Sequence, residues 1–296
     1  MAHIPVLPKE VIEYLDPKSN ENFIDCTLGG GGHALAILEK TGPNGKILGI
    51  DADPEAIKNA ESKIANTEYK KRLIIACGNF KNLKEIVTGE NFKKISGILL
   101  DLGMSSSQLE ESGRGFSFQK KEPLDMRYDP LGPVTAEKIV NYWSYQEIER
   151  ILKEYGEEQF SQIIARQILE ARKIKPIETT LRLVEIIEKS VPGWYRHKGI
   201  HFATKTFQAL RIAVNGELDS LKSILPQALE TLEGGGRVAI ISFHSLEDRI
   251  VKNFLRDRAK EGLISILTKK PIVPQEAEIK INPRSRSAKL RSAIKL

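Results

Sequence analysis

The chain has 296 residues, 41% of them apolar and 28% charged, with a mean hydropathy of -0.28. That is enough apolar content for one large domain, or a domain with an insertion, and too much for an intrinsically disordered chain. No run approaches the roughly 18–20 apolar residues of a membrane-spanning helix, and the first ten residues lack the pattern of a secretory signal, so a cytoplasmic protein with no membrane partner is expected. The net charge of +6 is unevenly spread: residues 249–296 carry thirteen Lys/Arg against four Asp/Glu, a net +9 that leaves the rest at −3. Such a region suits a polyanion such as nucleic acid, although a solvated basic face has the same composition.

In chain order, 22–27 reads as a short buried strand, 29–32 as a glycine turn and 33–40 as a helix. A second strand at 46–51 leads to a helix over 54–65, with Asp53 as N-cap and Pro54 at the first helical position. Third and fourth strands follow at 72–76 and 95–100. Strands alternating with helices imply a parallel sheet covered on both faces. The alternation then stops. A loop rich in Gly, Ser and Pro precedes helical patterns carried by Ile148, Ile151 and Leu152, by Ile163, Ile164 and Ile168, and by Leu181, Val184 and Ile187. The α/β pattern resumes with a helix over 218–232, a strand over 237–243 and a helix over 246–260; 264–268 and 289–294 are expected as two last strands on the sheet edge. The expected fold is thus α/β, a Rossmann-like sheet of residues 1–113 and 205–296 with an all-helical insert at 114–204.

Cys26 and Cys77 lie in or just after apolar segments and are read as small core residues. The histidines are scattered, and the i, i+4 pair His197 and His201 lacks the acidic partner of a zinc-hydrolase helix, so no metal is expected.

Ligands of open α/β sheets sit beyond the carboxyl ends of the strands. There, Gly29, Gly31 and Ala34 satisfy G-x-G-x-x-A, and Asp51 follows Gly29 by 22 residues at the end of the second strand. Glycines admit a ligand to the backbone and the acid accepts ribose hydroxyls, a combination that serves NAD(H) and S-adenosylmethionine alike. Asp25, just before the turn, would repel a pyrophosphate but attract the ammonium of a methionine moiety; capping the loop is its structural alternative. Phe80, after the third strand, is either an adenine-flanking ring or a core residue. Asp101, after the fourth, is either a helix N-cap or the acceptor that aims the lone pair of an exocyclic amine at an electrophile, with Ser105 orienting the base. His244, just past the fifth strand, faces either a base, an RNA phosphate or the protein itself. The WYRHK segment at 194–198 mixes rings with cations as single-stranded RNA sites do, although packing explains it as well. Asn215, Gly216 and Glu217 form either a hinge or part of an acceptor pocket. An NAD-dependent oxidoreductase and a non-catalytic RNA-binding module stand as alternatives.

Eight strings occur in order: HIPVL at 3–7, DCTLGGGGH at 25–33, DLGMSSSQ at 101–108, RGFSF at 114–118, PLDMR at 123–127, FQALRIAVNGEL at 207–218, SFHSLEDR at 242–249 and NPRSR at 282–286. Together they resemble the MraW family of ribosomal RNA methyltransferases over nearly the whole chain, the insert matching chiefly at its ends. Gly113 departs from the pattern, where a larger residue is expected. The resemblance implies an enzyme that uses S-adenosylmethionine to methylate N4 of one cytidine in the decoding region of 16S rRNA. It places cofactor contacts on Gly31, Gly32, His33, Asp51, Phe80, Asp101 and Gln108. Asp101, Ser105 and His244 are the catalytic candidates.

Overall fold

The structure, a computed structural model, describes residues 4–104, 108–109, 112–197 and 199–296. They form two compact units, Met1–Ser105 with Leu218–Leu296, and Ser106–Glu217.

The first unit is a seven-stranded sheet. Its strands are β1 (Asn22–Asp25), β2 (Ile47–Asp51), β3 (Leu73–Cys77), β4 (Ile95–Asp101), β5 (Arg237–Ser242), β6 (Ile264–Ile266) and β7 (Lys289–Lys295). The order is β3-β2-β1-β4-β5-β7-β6. β1 to β5 are parallel, and β7 runs antiparallel to both its neighbours. Helices α1 (Pro8–Leu15), α2 (Gly32–Lys40), α3 (Pro54–Ile64) and α4 (Leu83–Gly89) accompany the first strands. The expected boundaries of the strands and of α2 and α3 agree to within two residues, and Asp53 caps α3 by accepting the Glu55 N–H.

Continuous apolar strands are explained by burial on both faces. Ile24, Leu48, Ile98 and Val238 point to one side, against the helix later in the chain that carries Leu221 and Leu225. Phe23, Ile47, Leu99 and Ala239 point to the other, against Val11 of α1 and Ile37 of α2. Gly97 leaves the room for the Phe23 ring, whose nearest atom lies 2.4 Å from where a Cβ would stand.

Two expectations are corrected here. Of the last two strands β6 alone lies at a sheet edge; β7 is interior, pairing with β5 over six residues and with β6 over three. Its apolar Leu290 and Ala293 are buried, which an edge position would not require. Cys77 is exposed, because β3 is the opposite edge strand and ends there, whereas Cys26 is buried.

In the second unit a looped segment precedes α5 (Ala136–Tyr142), α6 (Tyr145–Glu154), α7 (Ser161–Ile174), α8 (Thr180–Ser190), the short α9 (Gly193–Arg196) and α10 (Thr204–Asn215). Polar caps start three of these helices: Thr135, Ser144 in a capping box with Glu147, and Thr179. The looped segment is tied by the bidentate pair of Arg127 with Asp125, by Arg114 donating to the Arg127 and Tyr128 carbonyls, and by a bridge between Pro123 and Thr179. Gly113 adopts a φ of 64°, the left-handed region where glycine is favoured and a larger residue is not. This unit takes in α10, which the sequence reading gave to the sheet domain. Gly156, after α6, lets α10 approach so closely that a Cβ there would stand 2.7 Å from the Lys205 carbonyl. The buried face of α8 is Leu183, Ile186 and Ile187, with Leu181 exposed, so the helix is turned from the expected 181/184/187 phase.

The chain continues through α11 (Glu217–Thr231), which leads into β5, then α12 (Ser245–Lys260) and α13 (Glu276–Ile281).

Candidate active site

The strand order reverses between β1 and β4, so the crevice of the sheet lies at their carboxyl ends. There the chain leaves β1 pinned on both sides: Cys26 N–H donates to the Leu99 carbonyl of β4, and Leu28 N–H to the Ile50 carbonyl of β2. The glycine turn follows, with Gly31 at φ 73° as the N-cap of α2, a position that supplies no side chain and leaves the first-turn N–H groups open to a ligand. Gly32 sits against the Pro5 ring, 3.3 Å from where a Cβ would be, and the Lys63 ammonium donates to the Gly30 carbonyl from outside.

Three carboxylates converge on this turn. Asp51 ends β2 and accepts the Gly29 N–H on one oxygen, at 2.8 Å, and the Asp53 N–H on the other, at 2.9 Å. The Ala52 backbone is a third donor, which leaves the carboxylate at least one of its roughly four acceptor directions. Asp25 ends β1, is buried, and accepts from the Thr27 N–H and hydroxyl. Burial pushes both carboxyl groups up to about 6, and their mutual repulsion with Asp101 adds to the rise in Asp25, against the pull of His33 and the Thr27 hydrogen bond. Asp101 ends β4; its backbone N–H donates to the Thr27 hydroxyl at 2.7 Å, and its Oδ1 is buried without a hydrogen-bond partner among the described residues. His33, the second residue of α2 and 6% exposed, places Nε2 3.5 Å from Asp101 Oδ2. Among the described residues neither of its ring nitrogens has a hydrogen-bond partner. A crevice walled by three acids with buried polar atoms still unpaired fits a cation bearing hydrogen-bonding groups and opposes a pyrophosphate.

Of the residues expected from sequence, Gly31, Gly32, His33, Asp51 and Asp101 are thus brought together with Asp25. Thr27, which links Asp25 to the backbone of Asp101, was missed; a hydroxyl two residues after an aspartate at a strand end is the signal that marks it. Phe80 opens a short 3-10 turn after β3 and packs partly against the core. Gln108 belongs to the helical unit and is buried there, its carbonyl accepting from the Ser112 hydroxyl. Ser105 and Lys198 lie outside the described residues.

His244 has a structural occupation. It is the N-cap of α12, accepting the Glu247 N–H on Nδ1 while the Glu247 carboxylate accepts the Phe243 and His244 N–H groups. In the helical unit, Asn215 is likewise engaged, accepting the Tyr128 N–H and donating to the Met126 and Arg211 carbonyls, and Glu217 forms a bidentate pair with Arg211. Gly216 makes the left-handed break between α10 and α11. Trp194 is 60% exposed, whereas Tyr195 is buried and donates its hydroxyl to Glu158.

Sheet and crevice define a Rossmann-like α/β protein with three carboxylates gathered at the carboxyl ends of β1, β2 and β4. The model of the MraW methylase family matches residues 1–296. The chain belongs to that family. A relative named ribosomal RNA small subunit methyltransferase H, from Heliobacterium mobile, is 47% identical over 310 residues, spanning 99% of each chain. A relative of the same name from Persephonella marina is 48% identical over 293 residues, again 99% of each. The solved structure of a SAM-dependent O-methyltransferase from Thermotoga maritima aligns at a TM-score of 0.45 and 12% identity, covering 100% of this chain and 68% of that one.

Proposed function

We propose that this enzyme, a methyltransferase that draws its methyl group from S-adenosylmethionine, methylates the exocyclic N4 of a cytidine in the 16S RNA of the small ribosomal subunit. The observation that carries the choice of cofactor is the convergence of Asp25, Asp51 and Asp101 on the glycine turn. An anionic dinucleotide would meet repulsion there, so the oxidoreductase reading loses its ligand.

When bound, the cofactor supplies an electrophilic methyl group on a cationic sulfur. Asp51 accepts from ribose hydroxyls, Asp25 balances the ammonium, and the backbone of Gly31, Gly32 and His33 opens the turn to the ligand. Phe80 flanks the adenine, and Gln108 joins the cofactor contacts. Asp101 accepts an N–H of the cytosine amine, which localises a nitrogen lone pair that the ring otherwise delocalises and aims it at the methyl carbon. Ser105 orients the base. His244 serves the acceptor side by holding the first turn of α12 next to the end of β4. No covalent enzyme intermediate is required.

Lys252, Arg256, Lys260, Lys269, Lys270 and Arg286 are exposed on the sheet unit and supply the polyanion contact, favoured by counterion release from phosphates. The cytosine must leave its stack to reach the strand ends. Among the described residues no helix is long and apolar enough to cross a membrane, and the location that goes with this reading is the cytoplasm.

The experiment is transfer of labelled methyl from S-adenosylmethionine to unmodified small-subunit particles and to naked rRNA, with the nucleosides resolved by mass spectrometry. Label in N4-methylcytidine is expected. Label in another nucleoside overturns the target, and no label on either RNA overturns the reaction. Asp101→Ala should abolish transfer while leaving the protein folded.

A further inference from the structure

We infer that the His33 imidazole is the positioning partner of Asp101, engaging Oδ2 through Nε2 so that Oδ1 is the oxygen presented to the acceptor amine; this rests on the methyl-transfer reading above. A buried histidine with both ring nitrogens unbonded is uncommon, because interior polar atoms nearly always find partners. His33 is held there by the glycine turn, as the second residue of a helix whose start is fixed by Gly31 and by the Pro5 contact with Gly32. Its nearest carboxylate is Asp101, at 3.5 Å. The other acid that feels its charge, Asp25, already accepts from Thr27, and the Asp101 backbone is fixed by the same Thr27 hydroxyl. The carboxylate of Asp101 therefore has a fixed stem, one oxygen beside an imidazole, and one buried oxygen without a hydrogen-bond partner among the described residues.

That asymmetry suits the proton balance of the reaction. As the nitrogen gains the methyl carbon, the carbon–sulfur bond breaks with its electron pair going to sulfur. The nitrogen is left with one proton too many, and its N–H bonding pair returns to the nitrogen as the proton passes to Asp101 Oδ1. A donor on Oδ2 keeps the carboxylate turned so that Oδ1 faces the amine, and the proton then leaves to water.

The test combines kinetics with a measurement made without cofactor. His33→Ala is expected to lower kcat by about 100-fold with the affinity for S-adenosylmethionine changed by less than about threefold. His33→Gln, whose amide N–H reaches the same oxygen, should recover about tenfold of that loss. In the Asp101→Asn background, His33→Ala should cost less than about threefold more, because both changes then remove the same interaction. In the ligand-free protein, the side-chain nitrogen resonances of His33 should move on Asp101→Asn while those of His201, in the other unit, stay in place. Additive losses, a Gln variant no better than Ala, or unmoved His33 resonances overturn the inference. The resonance arm uses a near-isosteric change, so it decides even if His33→Ala does not fold. Failure of the wild type to transfer label sinks the methyl-transfer reading instead, and the resonances still decide whether His33 engages Asp101.

Discussion

Replacing Asp25 by Asn should make the protein more stable and less able to bind its cofactor. Burial raises the Asp25 carboxyl from 3.8 to about 6, a shift of about two units that corresponds to about 3 kcal/mol. The sign follows from proton binding: between those two values the folded chain holds the proton more tightly than the unfolded one, so stability falls as pH rises through the window and the deficit is complete above pH 6. Asn has the same shape, keeps an oxygen for the Thr27 N–H, and has no charge to bury. Urea unfolding at pH 8 should therefore show Asp25→Asn more stable than wild type by up to about 3 kcal/mol, with the difference vanishing near pH 4. Part of the slope survives in the variant because Asp51, raised chiefly by burial, titrates in the same range. Calorimetric titration with S-adenosylmethionine at pH 8 should show the opposite trend, a loss of about 10- to 100-fold for one charge-assisted hydrogen bond. A variant no more stable than wild type at pH 8 refutes the account of the buried charge; normal cofactor affinity refutes the ammonium role.

Cofactor affinity of the wild type should rise from pH 5 to pH 7 and then level off, as Asp25 and Asp51 ionise through about 6; a flat calorimetric profile contradicts this. Gly97→Ala drives a methyl group into the Phe23 ring and should cost about 1–3 kcal/mol, read as a lower thermal midpoint. Asp248→Ala leaves Arg291, 8% exposed on the interior strand β7, without its bidentate partner and should cost about 3–5 kcal/mol in urea unfolding. Burial raises the Asp248 carboxyl, but Arg291 and Lys289 outweigh that and hold it below the ordinary value. Its contribution should thus be present at neutral pH and fade as pH falls through the folded value. Tyr195→Phe removes the hydroxyl from the buried Glu158 carboxylate and should destabilise the helical unit by about 1–3 kcal/mol.

The parallel part of the sheet was legible because each strand is an apolar run between turn signals, and Asp25, Asp51 and Asp101 were legible because such runs end in an acid. Where β7 goes was not, since a run such as 289–294 carries its pairing preference but not its neighbours; that depends on the route of the intervening chain. The helix phase at Leu181 failed for a related reason: 181/184/187 and 183/186/187 both satisfy helical spacing, and only the packing of α8 separates them. His33 looked like part of a glycine motif, and its proximity to Asp101 required two segments 68 residues apart to meet. His244 shows the limit from the other side: a lone histidine after a strand resembles a reactive group, and in the structure its ring is a helix cap.

The interior place of β7 orders events during synthesis. β6 leaves the ribosome earlier, yet its only sheet neighbour is β7, so it cannot join the sheet until that later strand has docked on β5. Until then β5 presents an open row of backbone donors and acceptors, a template for any extended chain nearby. Leu7 N–H donates to Glu278 and the Asn282 amide to the Ile4 carbonyl, so the segment that carries Pro5 onto the glycine turn also takes two of its hydrogen bonds from late-arriving residues. A nascent chain can thus build the β1 to β5 scaffold while the segment beside its glycine turn still lacks the two bonds that the last residues supply.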